Sequence, residues 1–258
     1  MLKITLLLCC TDASLRKAIY APPPAGLQIL IGKPAVTGRI TPEQASLLDK
    51  RISCQLVIQV VSAYPNFAGM ELLITYLLQF GYLTEQQIAQ IKSKAQWKKL
   101  PKGASFSEAG KVSEEIGYVT EGVCRICYYN KAGEGLTRYF VYEDRFAADF
   151  SSFRDELPAS EYIEAVTDCE LLVFSKADFN YLDKVVPGWK DIFARITASV
   201  LESKMKAAGN MLVQDAQSRY LHFIEYYPGL ANRVPQAMLA SYLGITPSSL
   251  SRIRKSLL

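Results

Sequence analysis

The sequence predicts an α+β chain in which an antiparallel β-roll precedes one long helix and a small all-helical end. Three observations predict it. After Trp97 the chain becomes a series of short apolar and aromatic runs, punctuated by Lys102-Gly103, Ala109-Gly110, Glu121-Gly122 and Ala132-Gly133-Glu134-Gly135. Short strands with regular turn signals favour an antiparallel barrel or sandwich. Between Pro187 and Leu212 the apolar residues recur at helical spacing instead. Beyond Arg233, two short helices are marked off by a glycine stop and a threonine start.

Residues 1 to 69 stand outside this plan. They open on Lys3 and Leu6 to Leu8, pass through Pro22-Pro23-Pro24, and hold no sustained period. A secretory leader would need a longer apolar core followed by a small-residue cleavage site. The segment reads as an unmatched extension, not necessarily translated, upstream of a start at Met70; if translated, Ile40 to Val61 could form a helix. It carries seven basic and three acidic residues, whereas residues 70 to 258 carry 22 of each. The net charge of +4 therefore belongs to the extension. Within the neutral remainder, residues 214 to 258 hold five basic against two acidic side chains, a local basic patch.

From Met70, the residues Leu72, Leu73, Tyr76, Leu77 and Phe80 mark one helix. Thr84-Glu85-Gln86-Gln87 opens a second, carrying Ile88 and Ile91. Strands are expected at Ile116–Thr120, Gly122–Tyr129, Arg138–Tyr142 and Glu170–Phe174. Cys124 and Cys127 form a C-x-x-C pair within one strand, where positions i and i+3 point to opposite faces. They are read as structural. No Cys/His cluster has zinc spacing, so no metal and no cofactor are expected. The single histidine, His222, falls in a helix.

In the long helix, Trp189, Ile192, Phe193, Ile196, Val200, Met205 and Met211 or Leu212 trace one stripe, with Glu202, Lys204 and Lys206 off it. So wide an apolar face needs a partner. Asp215 to Tyr227 gives a further helix, ended by Pro228-Gly229. Then Met238, Leu239, Tyr242 and Leu243 form one apolar stripe, and Gly244 stops that helix where a positive φ is wanted. Thr246 is placed to cap the next helix and Pro247 suits its first turn. That helix turns Leu250, Ile253 and Leu257 inward, and Ser248, Ser249, Ser251, Arg252 and Lys255 outward. Hydroxyls at a helix start followed by cations suit groove and phosphate contacts, so this reads as a DNA-binding helix-turn-helix. A polar helical hairpin capping another domain is the plainer alternative. The DNA-facing candidates are Gln236, Thr246, Pro247, Ser248, Ser249, Ser251, Arg252 and Lys255, with Arg252 the best base reader because its fork matches guanine.

Gln236, Ala240, Leu243, Gly244, Ile245, Thr246, Leu250, Ser251 and Arg252 together resemble the C-terminal end of Crp/Fnr-type bacterial transcription regulators. The resemblance covers about residues 70 to 258 and looks closest to the short Bacteroidetes-type members. It implies a cyclic-nucleotide-binding-like sensor domain over 70–186, a dimerisation helix over 187–213 and a helix-turn-helix domain over 214–258. The implied partners are double-stranded DNA, a second copy of the chain, and RNA polymerase. The implied dimer interface is Trp189, Ile192, Phe193, Ile196 and Val200, a face that could equally pack on the chain's own β-domain. Pro247 and Ser248 stand where many relatives carry Arg and Glu, so a target sequence does not transfer. Leu258 follows the recognition helix closely, so a trailing wing is not expected.

The resemblance also locates a ligand pocket: Asp149, Phe150, Ala159, Ser160 and Glu161. Cyclic-nucleotide binders hold the buried phosphate with an Arg beside a Ser or Thr. Here Leu157 to Tyr162 contains no arginine, and Glu161 adds a negative charge. An unpaired buried phosphate would cost on the order of several kcal/mol. Cyclic AMP is therefore not expected to bind. Either another, unknown effector enters, or Phe150, Phe153 and Tyr162 fill the space and there is none.

Paired carboxylates, a nucleophile–histidine set and metal ligands are all missing, so an enzyme is not expected. Without an apolar run of the ~18 to 20 residues a membrane span needs, a cytoplasmic protein is. The reading is a sequence-specific DNA-binding regulator of Crp/Fnr type, not responsive to cyclic AMP. The alternative is a ligand-binding or protein-interaction module whose DNA-binding end has decayed.

Overall fold

A computed structural model of the chain describes residues 65–257, and from Leu72 onward these form one compact unit. The expected helix over Ile40 to Val61 lies outside the described residues. Helix α1 (Pro65–Leu77) begins five residues before Met70, so Met70 sits inside a helix. Helix α2 (Glu85–Lys94) starts where expected: Thr84 accepts from the Gln87 amide and Gln87 returns the bond to the Thr84 amide.

The β-roll consists of two four-stranded sheets in which every pairing is antiparallel. One has the order β1 (Gln96–Leu100), β8 (Cys169–Ser175), β3 (Glu115–Glu121), β6 (Arg145–Ala147). The other runs β2 (Ser105–Ser107), β7 (Tyr162–Ala165), β4 (Val123–Tyr129), β5 (Gly135–Tyr142). Residues of both sheets meet in one core, among them Val119, Cys124, Ile126, Val141, Ile163, Leu171 and Val173. Cys124 meets Cys169 there at 3.8 Å between sulfurs, while Cys127, also buried, lies beside Arg125 and Glu164. Gly122 joins β3 to β4 at a φ of 102°, and a β-carbon there would stand 2.5 Å from the Asp168 carbonyl oxygen. Only glycine turns this corner.

Short helix α3 (Phe150–Asp155) interrupts the strands between β6 and β7, and α4 (Lys176–Val185) follows β8. The chain then enters the long helix α5 (Trp189–Val213). Its first turns are anchored in aromatic packing: Trp189 lies 5.8 Å from Phe174, 5.6 Å from Phe179 and 4.9 Å from Phe193 between ring centres. Phe193 in turn meets Phe146 and Phe150. No helix among the described residues is long and apolar enough to cross a membrane.

The C-terminal helices are α6 (Ala216–Tyr226), α7 (Leu230–Arg233), α8 (Gln236–Leu243) and α9 (Pro247–Ser256). Their core is not their own. Tyr220, Phe223, Leu230, Leu239, Leu243 and Leu250 share one buried cluster with Val123, Phe140 and Val166 of the β-roll. Strand β5 is a sheet edge, and α8 covers it: the Thr137 amide donates to Ser241 Oγ at 2.9 Å, and Phe140 packs on Tyr242 at 5.7 Å. Covering an exposed edge strand in this way removes a site of unwanted pairing.

Candidate nucleic-acid interface and ligand pocket

The helix-turn-helix forms on local signals. Leu239, Ala240 and Leu243 are fully buried and set the inner face of α8. Gly244 takes φ 66°, ψ 36°, and its amide and that of Ile245 close the helix on the carbonyls of Ala240 and Ser241. Thr246 then caps α9 by accepting from the Ser249 amide at 3.2 Å, with Pro247 in the first turn. Leu250 is fully buried, which holds the opposite face outward.

On that outward face Pro247, Ser248, Ser251, Arg252 and Lys255 are exposed. Arg252 reaches back to Ser249 Oγ at 3.3 Å, a weak tether that a base edge could displace. Ser249 is half-buried, and the Thr246 hydroxyl is engaged with Ser248 and Ser249. Gln236 is also committed: its amide donates to the Pro247 carbonyl at 2.7 Å and ties α8 to α9. The third cation of the helix, Arg254, turns inward instead, over the Tyr220 ring and onto the Ala231 carbonyl.

Helix α5 presents two faces. Trp189, Ile192, Phe193 and Ile196 are buried in the described chain, within 5% exposure, and Val200 and Lys204 continue that face half-buried. The residues expected to meet a second copy are thus mostly occupied by the chain's own β-roll. A different stripe is exposed: Ala194, Ala198, Leu201, Met205, Ala208 and Leu212, spaced alternately four and three. Met205 and Leu212, at 67% and 90% exposure, lie on it rather than on the buried stripe, and Lys204 lies on the inner face. Past Ile196 the inner contacts turn polar, so hydrophobicity alone misassigns which residues face in. A lysine can bury its stem there while keeping a polar partner for its head.

The pocket residues are brought together and found largely satisfied. Asp149 caps α3, accepting from the Ser152 amide at 3.0 Å. Phe150 packs on Phe146 and Phe193. Ala159 is buried, its amide bonded to the Lys111 carbonyl and its carbonyl to the Gly110 amide. Ser160 is exposed. Glu161 is not a lone negative charge, because Arg138 on β5 pairs with it at 2.5 Å. Of the expected fillers, Phe153 packs on Phe179, which in turn meets Phe193 of α5, and Tyr162 packs on Tyr129. From α5, Phe193 meets Phe150, and Lys204 reaches Tyr139 of β5. Its ammonium lies 2.5 Å from the Tyr139 hydroxyl and 3.9 Å from that ring's centre. Burial lowers its pKa, Glu161 and Asp149 act to raise it, and Arg138 acts to lower it. Burial also raises the pKa of Tyr139. Neither Arg138 nor Lys204 was identified from sequence, because each lies far along the chain from the segment that defines the pocket.

The sequence model of the cyclic nucleotide-binding domain matches residues 97–184. No curated protein matches the chain. Among solved structures, FixK2 from Bradyrhizobium japonicum superposes with a TM-score of 0.54 at 15% identity, over 63% of this chain and 84% of FixK2. The c-di-GMP responsive global regulator CLP from Xanthomonas campestris superposes with a TM-score of 0.54 at 18% identity, over 67% of this chain and 91% of CLP. A regulator assigned to the Crp/Fnr family, from Eubacterium rectale, gives 0.54 at 14% identity, over 67% and 83%. At these identities the likeness is one of fold: the α+β architecture of Crp/Fnr-type regulators, with antiparallel sheets first and a helical end last.

Proposed function

We propose that the chain is a homodimeric, cytoplasmic, sequence-specific DNA-binding transcription regulator that acts without cyclic AMP. The observation that carries this reading is the outward face of α9. Ser248, Ser251, Arg252 and Lys255 are exposed together on a helix capped by Thr246 and seated by Leu250. Such a helix fits a major groove, with Arg252 able to bridge guanine O6 and N7 and Lys255 able to meet a phosphate. Gln236 serves this face by tying its two helices together, and Thr246 by capping the second.

The exposed stripe on α5 supports the dimer. A strict alternation of three and four over Ala194 to Leu212 is the spacing of a two-stranded coiled coil. Leaving Leu201, Met205 and Leu212 in water would be costly, and pairing with a second copy covers them. Small residues at three of the six positions allow close approach. Two α9 helices would then address half-sites about one helical turn apart.

The test is selection of bound sequences from random DNA, followed by affinity measurement over a range of salt. A regulator gives a defined site, and a log–log salt slope that scales with the phosphates it contacts. A chain that selects no sequence and shows no salt dependence would instead be the ligand-binding or protein-interaction module.

A further inference from the structure

The segment 149–161 meets β5 through Glu161 and Arg138 and meets α5 through Phe150 and Phe193, and Lys204 of α5 reaches Tyr139 of β5. Three observations bear on this last contact. First, the polar groups there are already answered: Asp149 by the Ser152 amide, Glu161 by Arg138, and Tyr139 by Lys204. Second, two cavities among the described residues do not reach Tyr139 or Lys204. One sits where α5 meets α6, beside Met211 and Arg219, and the other beside Val112 and Lys176. Third, α5 has few apolar anchors beyond Ile196. Val200 is half-buried, Leu201 and Met205 face out, and Met211 packs on the C-terminal cluster, so between Val200 and Met211 the Lys204 contact joins the helix to β5.

We propose that Lys204 is a built-in occupant of the effector pocket, joining the long helix to the β-roll through Tyr139 and dispensing with a small-molecule effector. The proposal rests on reading residues 149–161 as that pocket. An ammonium is suited to the role: Asp149 and Glu161 give the site a negative bias, Arg138 cancels part of it, and the Tyr139 ring and hydroxyl both attract a cation. Burial outweighs that bias and lowers the Lys204 pKa, so the contact with the Tyr139 ring and hydroxyl, not the net charge of the site, seats the ammonium. A lysine also supplies reach, its stem packing along the helix face while the head crosses to the strand. The consequence is a regulator whose long helix is fastened at all times and whose output follows its abundance.

The tether can be tested on the full chain without DNA. Hydrogen exchange would be followed on the amides of α5 in the parent, in Lys204→Ala, in Lys204→Arg and in Tyr139→Phe. Lys204→Ala should speed exchange at residues 198–206 by about tenfold or more, and Lys204→Arg should stay close to the parent. Tyr139→Phe keeps the ring and removes the acceptor, so it should fall between them. Because Lys204→Ala leaves a space shaped for an amine, millimolar butylammonium should slow its exchange again, whereas tetramethylammonium, too bulky for a tyrosine hydroxyl, should not. Exchange in Lys204→Ala within about twofold of the parent would overturn the proposal. If that variant does not fold, Tyr139→Phe decides alone, and parental exchange in it would overturn the proposal as well. DNA affinity is measured separately. Loss of protection in α5 combined with no DNA binding by the parent would leave the tether standing and remove the regulator reading.

Discussion

Arg233 grips the Glu143 carboxylate with both terminal nitrogens, at 2.8 and 2.6 Å, and so ties the helical end of the chain to the turn between β5 and β6. Glu143 also accepts from the Gly122 amide at 2.8 Å. With the Thr137–Ser241 bond and the Phe140–Tyr242 contact, this fastens the helix-turn-helix to the roll. The helix-turn-helix is therefore carried on a platform, not on a free linker.

Breaking that pair should loosen the platform without unfolding it. Arg233→Ala is expected to cost about 1 kcal/mol, since both partners are partly exposed and solvent screens them. Faster amide exchange in α7 and α8, with β3 and β8 unchanged, is the expected signature. Burial opposes ionisation of Glu143, but the bonds from Arg233 and Gly122 outweigh it and hold its pKa below the ordinary 4.5. Its contribution is thus complete above pH 4.5 and is lost as pH falls through the lowered folded value. Glu143→Gln should remove that acid dependence.

At the recognition helix, Arg252→Ala should cost ~1 to 3 kcal/mol on a selected site and relax specificity at one base pair. Lys255→Ala should weaken all sequences about equally and reduce the salt slope by about one. Fluorescence anisotropy on matched and scrambled duplexes separates the two. Parental affinity in both variants would place the DNA contact elsewhere.

For assembly, Leu201→Asp with Met205→Asp should convert a dimer to a folded monomer, because like charges would face each other across the helix pair. Ile196→Asp should behave differently and destabilise the chain itself, since Ile196 is fully buried within the chain. Sedimentation and circular dichroism on the same samples distinguish dissociation from unfolding. An unchanged dimer in the double variant would move the interface off α5.

Calorimetry with cyclic AMP and cyclic GMP should give no binding heat at micromolar concentration. Leu157 to Tyr162 holds no arginine, and the nearby cations are engaged, Arg138 with Glu161 and Lys204 with Tyr139. Tight binding would restore an ordinary cyclic-nucleotide receptor.

What the sequence determined by itself was everything governed by short range. The Thr84, Thr246 and Gly244 signals act over one helical turn, and the helices start and stop at them. The strands around Gly122 were legible for the same reason: alternation and a turn residue suffice to place them. The tertiary structure alone decided which face of α5 is free. Trp189 to Ile196 and Leu201 to Leu212 both carry apolar residues at helical spacing, and only packing separates a buried face from an exposed one. It also decided the electrostatics of the pocket. Glu161 read as an unpaired charge until Arg138, 23 positions away, was placed beside it, and Lys204, 65 positions from Tyr139, read as a solvent-facing residue. Pairings over such separations depend on strand register and helix rotation, which no local pattern encodes.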